Sequence, residues 1–157
     1  MKITLLALGK TEDKYLKEGI EKYTKRLKHY INFSIVEIPE LKNTKNLSED
    51  QQKAKEAELI RKFVGPADHL ILLDERGDEF TSSQFAGFIN KKMLGSIHNL
   101  VFVVGGPYGF DQTVYQAAGG KISLSKMTFS HQMVRLFFTE QIYRAFTILK
   151  GEPYHHE

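Results

Sequence analysis

Short runs dense in branched apolar residues recur along this chain, separated by stretches whose apolar residues return every three or four positions. Ile3 to Leu8 is bounded by Gly9, Phe33 to Ile38 is closed by Pro39, and Leu70 to Leu73 and Leu100 to Val104 end at Asp74 and Gly105. Runs of this length suit buried strands rather than helices. Between the first two, Leu16, Ile20, Tyr23 and Leu27 describe one face of a helix over Tyr15 to Leu27. Ser48-Glu49-Asp50-Gln51 and Thr81-Ser82-Ser83-Gln84 carry the hydroxyl and glutamine of a capping box. The first opens a charged helix toward Val64; the second opens one carrying Phe85, Phe88, Ile89 and Met93. Asp111 is suited to cap a short helix through Ala118, a brief strand follows at Ile122 to Leu124, and a long helix runs from His131 or Gln132 to Leu149. Strands alternating with helices predict an α/β sandwich with a mainly parallel sheet, and 157 residues predict one domain over 1–157.

Composition narrows the chemistry by exclusion. The chain has no Cys, so disulfides, thiolate nucleophiles and cysteine-ligated metal centres are absent. Its opening apolar run is too short for a signal sequence and no later stretch could cross a bilayer, so a cytoplasmic protein is expected. A formal charge of +3 is a mild bias toward anionic partners.

In open α/β sheets ligands bind beyond the carboxyl ends of the strands, which directs attention to the loops after Leu73, Val104 and Leu124. The second is Gly105-Gly106-Pro107-Tyr108-Gly109, where glycines allow close backbone approach and proline fixes a neighbouring dihedral. A tight turn, a cofactor loop and an interface loop all fit that spacing. Leu124-Ser125-Lys126-Met127-Thr128-Phe129 mixes hydroxyls and apolar side chains able to surround an adenine, or simply feeds the last helix. His131 and Arg135 fall on one helical face, with Lys126 across the turn. Together with Arg144 and the tail Pro153-Tyr154-His155-His156-Glu157 they could grip phosphates and stack on a base. A helix cap at His131 and ion pairs for the two arginines, with Glu140 as one partner, compete with that reading. Adjacent His155 and His156 do not make a three-ligand metal site, and no metal is expected. Asp74, Glu75 and Asp78 accompany Arg76 and Gly77 in what reads as a solvated turn. Apolar residues cover much of the final helix, from Met133 to Leu149, which suits packing against a second subunit or a deep core.

Taken in order, Leu72-Leu73-Asp74-Glu75-Arg76-Gly77, Val103-Val104-Gly105-Gly106-Pro107-Tyr108-Gly109, Ser123 to His131, Val134-Arg135, Glu140 to Ala145 and Pro153-Tyr154-His155 resemble the bacterial ribosomal RNA large-subunit methyltransferase H family. The resemblance spans essentially the whole chain. It implies a SPOUT-class α/β fold with a carboxyl-terminal trefoil knot, a homodimer, and S-adenosylmethionine as cofactor. The implied reaction is methylation of N3 of a pseudouridine in helix 69 of 23S rRNA, on assembled 70S ribosomes. A transfer RNA methyltransferase of the same fold and a noncatalytic ribosome-binding protein are the alternatives. By resemblance, Leu73, Gly105 and Leu124, Ser125, Lys126, Met127, Thr128 and Phe129 match cofactor positions, with Gly106 and Gly109 shaping the loop. His131, Arg135, Arg144, Tyr154 and His155 match the RNA-facing region, with His155, Tyr154 and Arg135 as candidates for catalysis. Ser130 departs from the pattern, standing where many relatives have proline, and Tyr108 varies within the loop.

Overall fold

The computed structural model describes residues 1–157. In chain order the elements are β1 (Lys2–Leu8), α1 (Lys14–Leu27), β2 (Asn32–Ile38), a 3-10 turn (Thr44–Asn46), α2 (Glu49–Arg61) and β3 (His69–Glu79). They continue as α3 (Ser82–Leu94), β4 (Asn99–Val104), α4 (Gln112–Ala117), β5 (Gly120–Ser123) and α5 (His131–Leu149). The five strands form one sheet in the order β2-β1-β4-β3-β5, and every pairing is parallel.

Side chains of a strand alternate between faces, so a strand covered on both sides reads as a continuous apolar run that splits between two cores. Leu70 and Leu72 pack with Val101, Val103, Ala57, Ile60 and Val114 under α2 and α4. Ile71 and Leu73 pack with Leu100, Phe102, Phe85, Ile89, Phe138 and Ile142 under α3 and α5, where α1 also contributes Leu27. The result is a sandwich of helices, sheet and helices. Near the middle of the larger core, the rings of Phe102 and Phe138 lie with centroids 4.7 Å apart.

Both expected capping boxes form: Ser48 and Thr81 accept from the backbone N–H of Gln51 and Gln84, whose side chains bond back to the cap residues. Asp111 caps α4 through the N–H of Thr113. Helix α2 stops at Arg61, short of Val64.

The turn expected at Asp74 to Asp78 is instead the outer half of a long β3. Its pairing with β5 shifts register between Leu73 and Asp78, so Leu73 and Asp78 both oppose Ile122. Gly77 makes this fit possible, because a Cβ there would lie 2.5 Å from the backbone carbon of Ile122. A polar composition read as solvated turn is therefore a bulged edge segment whose side chains face solvent.

Candidate functional site

The loops after β3, β4 and β5 leave three strands adjacent in the sheet and open into one cleft of about 1050 Å³. Leu73, Gly105, Gly106, Gly109, Leu124, Ser125, Met127, Thr128 and Phe129 all line it, and so does His131 at the first turn of α5. Lys126 is the exception among the expected cofactor positions. Its side chain points outward toward Glu79, 4.0 Å away, and is almost wholly exposed.

Each glycine of the β4 loop has its own reason. Gly109 has φ of +81°, a conformation that strains other residues, and its N–H donates to the Gly106 carbonyl at 3.3 Å. Gly105 and Gly106 are required by close approach: a Cβ on Gly105 would lie 2.9 Å from the Phe110 ring, and one on Gly106 would lie 2.6 Å from the Glu56 carboxylate. In the loop after β5, Ser123 donates to the Ser125 carbonyl at 2.8 Å, and Ser125 accepts from the N–H of Met127 at 3.0 Å. These bonds fix a compact turn with Met127 standing 76% exposed.

Tyr115 and Asp74, which the sequence did not single out as partners, face one another across the cleft wall, the phenol donating to the carboxylate. Burial and that bond push the Tyr115 phenol up to about 12. Asp74 also accepts from the N–H of Arg76 at 2.8 Å. A pairing over 41 residues of sequence has no local signature that could have announced it.

Ser130, the departure from the family pattern, is the N-cap of α5 and accepts from the N–H of Met133 at 3.2 Å. It thus supplies a cap in place of a rigid ring, and the loosening that its substitution for proline suggests is offset by that bond.

Arg135 departs from expectation. Residue 135 lies one turn further along α5 than His131, and that turn carries it from the cleft rim into the interior, where its side chain is wholly buried. The guanidinium donates to the carbonyls of Leu8 at 2.8 Å and Gly9 at 2.9 Å, and to the Thr11 hydroxyl at 3.1 Å. Burial pushes its pKa down, and Glu37, 4.0 Å away, acts in the opposite direction. In this fold Arg135 ties the last helix to the end of β1 and presents no charge to an RNA phosphate or to a reacting atom.

Arg144, Tyr154 and His155 gather at the other end of α5. Glu140 accepts two bonds from Arg144, at 2.7 and 3.1 Å, and one from the Tyr154 hydroxyl at 2.9 Å. His155 Nδ1 lies 3.0 Å from the Arg144 guanidinium, and its Nε2 lies 3.1 Å from Glu157. Burial works against the Arg144 charge, but the bond to Glu140 and the negative charge of that carboxylate, with Tyr154 and Tyr23 beside it, together outweigh it and hold the guanidinium above its ordinary value. Burial, with contacts to Tyr23 and Glu140, holds the Tyr154 phenol far above the usual tyrosine range. Arg144 and Tyr154 line a second groove of about 760 Å³, walled by α1 and α5. It shares Ile122, Ser123, Leu124 and Phe129 with the cleft. The groove thus adjoins the cleft along residues 122–124 and Phe129, while Arg144, Tyr154 and His155 are absent from the lining of the cleft itself.

No three His, Asp or Glu side chains converge on a point that could hold a metal ion. No helix is long and apolar enough to cross a membrane.

A family model described as "Predicted SPOUT methyltransferase" matches residues 1–155. The chain belongs to the SPOUT methyltransferase family. Its parallel α/β sheet is the corresponding fold. Among relatives of this SPOUT methyltransferase, the ribosomal RNA large subunit methyltransferase H of Parabacteroides distasonis is 62% identical over the full length of both chains. The protein of that name from Flavobacterium johnsoniae is 59% identical, again over the full length of both. Among solved structures, the SpoU methyltransferase AviRb from Streptomyces viridochromogenes in complex with AdoMet aligns with a TM-score of 0.47 and 11% identity, covering 96% of this chain and 61% of that one.

Proposed function

We propose that the chain is an S-adenosylmethionine-dependent methyltransferase that modifies N3 of a pseudouridine in helix 69 of 23S rRNA. On this reading it acts on assembled 70S ribosomes in the cytoplasm, as a homodimer of single-domain protomers spanning 1–157, and requires neither metal nor membrane. The observation that carries the reading is the convergence of the Leu73 end of β3, the glycine loop and residues 124–129 on one cleft. Full-length relatives named as ribosomal RNA methyltransferases support the RNA class.

The cleft suits this cofactor in size and lining. Its volume exceeds what a nucleoside with an amino-acid arm needs, and Leu73, Ile122, Leu124, Met127 and Phe129 offer apolar contact to an adenine. The loop backbones at Gly105 to Gly109 and Ser125 to Thr128 supply N–H and carbonyl groups for its polar edges. When bound, the cofactor supplies a methyl group already activated on a sulfonium sulfur.

The protein's own work is alignment and proton removal. N3 of pseudouridine carries a proton that must leave before or during transfer. Tyr154 is a poor acceptor because its phenol is held protonated by burial and by Glu140. His155 is the better one: with its Nε2–H directed to Glu157, its Nδ1 carries the lone pair that faces Arg144, and that nitrogen can take the proton when Arg144 turns to the RNA. Arg144 and His131 meet phosphate or base. Lys126, exposed outside the cleft, serves the RNA rather than the cofactor.

Because the lining of the cleft includes none of Arg144, Tyr154 and His155, the tail of the partner subunit is the one that completes the site on this reading. Phe137 on α5 and Phe129 beside it, 36% and 39% exposed with ring centroids 5.0 Å apart, offer apolar surface for such a dimer. Recognition of one nucleotide by so small a chain then draws on two subunits and on the folded ribosomal surface.

The test is transfer of labelled methyl from S-adenosylmethionine to 70S ribosomes, isolated subunits and transfer RNA, with mapping of the modified nucleoside. Label at N3 of the helix 69 pseudouridine, on ribosomes alone, is the expected result. Equal transfer to naked rRNA fragments contradicts the assembled-ribosome substrate, label in transfer RNA contradicts the RNA class, and no transfer to properly pseudouridylated ribosomes contradicts the activity.

A further inference from the structure

Glu56 is the one carboxylate placed against the cleft loop from behind. It sits on α2, one turn beyond Lys53, whose side chain belongs to the cleft lining. Its side chain is 8% exposed, and its Oε1 has no hydrogen-bond partner. An unpaired buried oxygen costs free energy, so a fold that retains one calls for a reason.

The surroundings supply it. Both carboxylate oxygens lie against Gly106, within 2.6 and 2.8 Å of where a Cβ would stand. On the other side of the same two-residue step, Gly105 rests on the Phe110 ring. The loop is thereby clamped between an aromatic face and a carboxyl group. A leucine in place of Glu56 would match the apolar neighbours Ala57 and Ile60, which are buried on the same helix. Burial alone therefore does not select a glutamate here. What an acceptor offers, and a leucine does not, is an oxygen beside the backbone of Gly106. Burial raises the pKa of Glu56 and the nearby Glu40 adds to this, against a side-chain bond with Gln52 that lowers it, so the carboxyl still gains from an N–H brought to its unpaired oxygen.

We infer that Glu56 is a positioning residue for the cofactor loop, its buried carboxyl setting the backbone at Gly106 in the conformation that receives the ligand. This rests on the proposal that the cleft binds S-adenosylmethionine. Glu56 touches neither substrate nor reacting atoms; it acts through Gly105 and Gly106.

Two readouts on the full-length protein separate the inference from the cofactor reading. The first is hydrogen exchange of the backbone over 105–110 without ligand. Glu56→Leu is expected to speed exchange there by about tenfold, as the contact of the carboxyl with Gly106 is lost, while Glu56→Gln, which keeps the shape and an acceptor, is expected to stay near wild type. The second is calorimetric titration with S-adenosylmethionine. The Glu56→Leu dissociation constant should rise by about tenfold and that of Glu56→Gln by less than about threefold, with melting temperatures of both close to wild type.

Unchanged loop exchange in Glu56→Leu overturns the inference. Failure of the wild type to bind the cofactor overturns the function proposed above, and the exchange experiment still decides the role of Glu56. If Glu56→Leu does not fold, Glu56→Ala read by the same exchange experiment decides it: faster exchange over 105–110 than in wild type is the expected result, and unchanged exchange overturns the inference.

Discussion

The guanidinium of Arg135 donates to the carbonyl of Leu8 at 2.8 Å, linking residues 127 positions apart in sequence. The bond joins the last helix to the carboxyl end of the first strand, beside a further bond to Gly9. Removing the guanidinium leaves those buried carbonyls without a donor, a loss of about 3 kcal/mol in a buried charged network. Arg135→Met, which keeps most of the stem, is therefore expected to lower unfolding stability in urea by that amount. A variant as stable as wild type but impaired only in ribosome binding would return Arg135 to the RNA-facing role.

Substitution of the tail should separate orientation from proton transfer. Tyr154 donates to Glu140, and its phenol is held far above the usual tyrosine range, so it stays protonated at neutral pH. Tyr154→Phe is expected to slow methyl transfer by less than about tenfold and to leave the shape of the pH profile from about pH 6 to about pH 9 unchanged. A rate that loses its pH dependence in this variant would make the phenol the proton acceptor.

His155→Ala should behave differently. Loss of a general base typically costs about a hundredfold or more in rate. The imidazole is absent from the cleft lining, so S-adenosylmethionine affinity should remain within about threefold of wild type by titration. A folded variant that loses cofactor affinity instead would move His155 from the chemistry to the cofactor pocket.

The strands were legible because both faces of the sheet are covered, so Leu70 to Leu73 and Leu100 to Val104 are apolar at every position. The capping boxes were legible because their bonds are local, between residues three apart. The cleft residues were legible in part by a rule of topology, that the strand ends of open sheets bear ligands. The outer half of β3 was misread because its residues are polar, and only the fit of Gly77 against Ile122 makes them strand. Arg135 was misread for a related reason. Its burial depends on the backbone carbonyls of Leu8 and Gly9, which any sequence would provide and none would advertise.

Ser130 tests how far a cap can stand in for a proline. Its φ of −61° and ψ of 147° suit a proline ring as well as a serine. Ser130→Ala removes the acceptor for the Met133 N–H and should cost about 1 kcal/mol in unfolding free energy. Ser130→Pro loses the same bond but restricts the unfolded chain, and should fall closer to wild type than the alanine variant. Equal losses in both, measured by urea unfolding, would show that the constrained φ contributes nothing here.

Alkaline titration offers a check on the Tyr115–Asp74 pair. Of the seven tyrosines, Tyr115 has its phenol pushed up to about 12 by burial and by Asp74, and Tyr30 reaches about 12 through its bond to Glu152. A group whose folded pKa is raised binds its proton more tightly in the folded state. Its contribution is complete below the unfolded value of about 10 and is lost as pH rises toward the folded value. Stability should accordingly decline between about pH 10 and about pH 12, and the phenolate absorbance of these two side chains should appear late, with that of Tyr154, whose phenol is held higher still, after it. In Tyr115→Phe the slope of stability against pH in that window should be shallower by the share of one proton, as read by urea unfolding at several pH values. An unchanged slope would mean that the Tyr115 phenol ionises as freely in the folded protein as in the unfolded chain, and that its bond to Asp74 contributes nothing to the cleft wall.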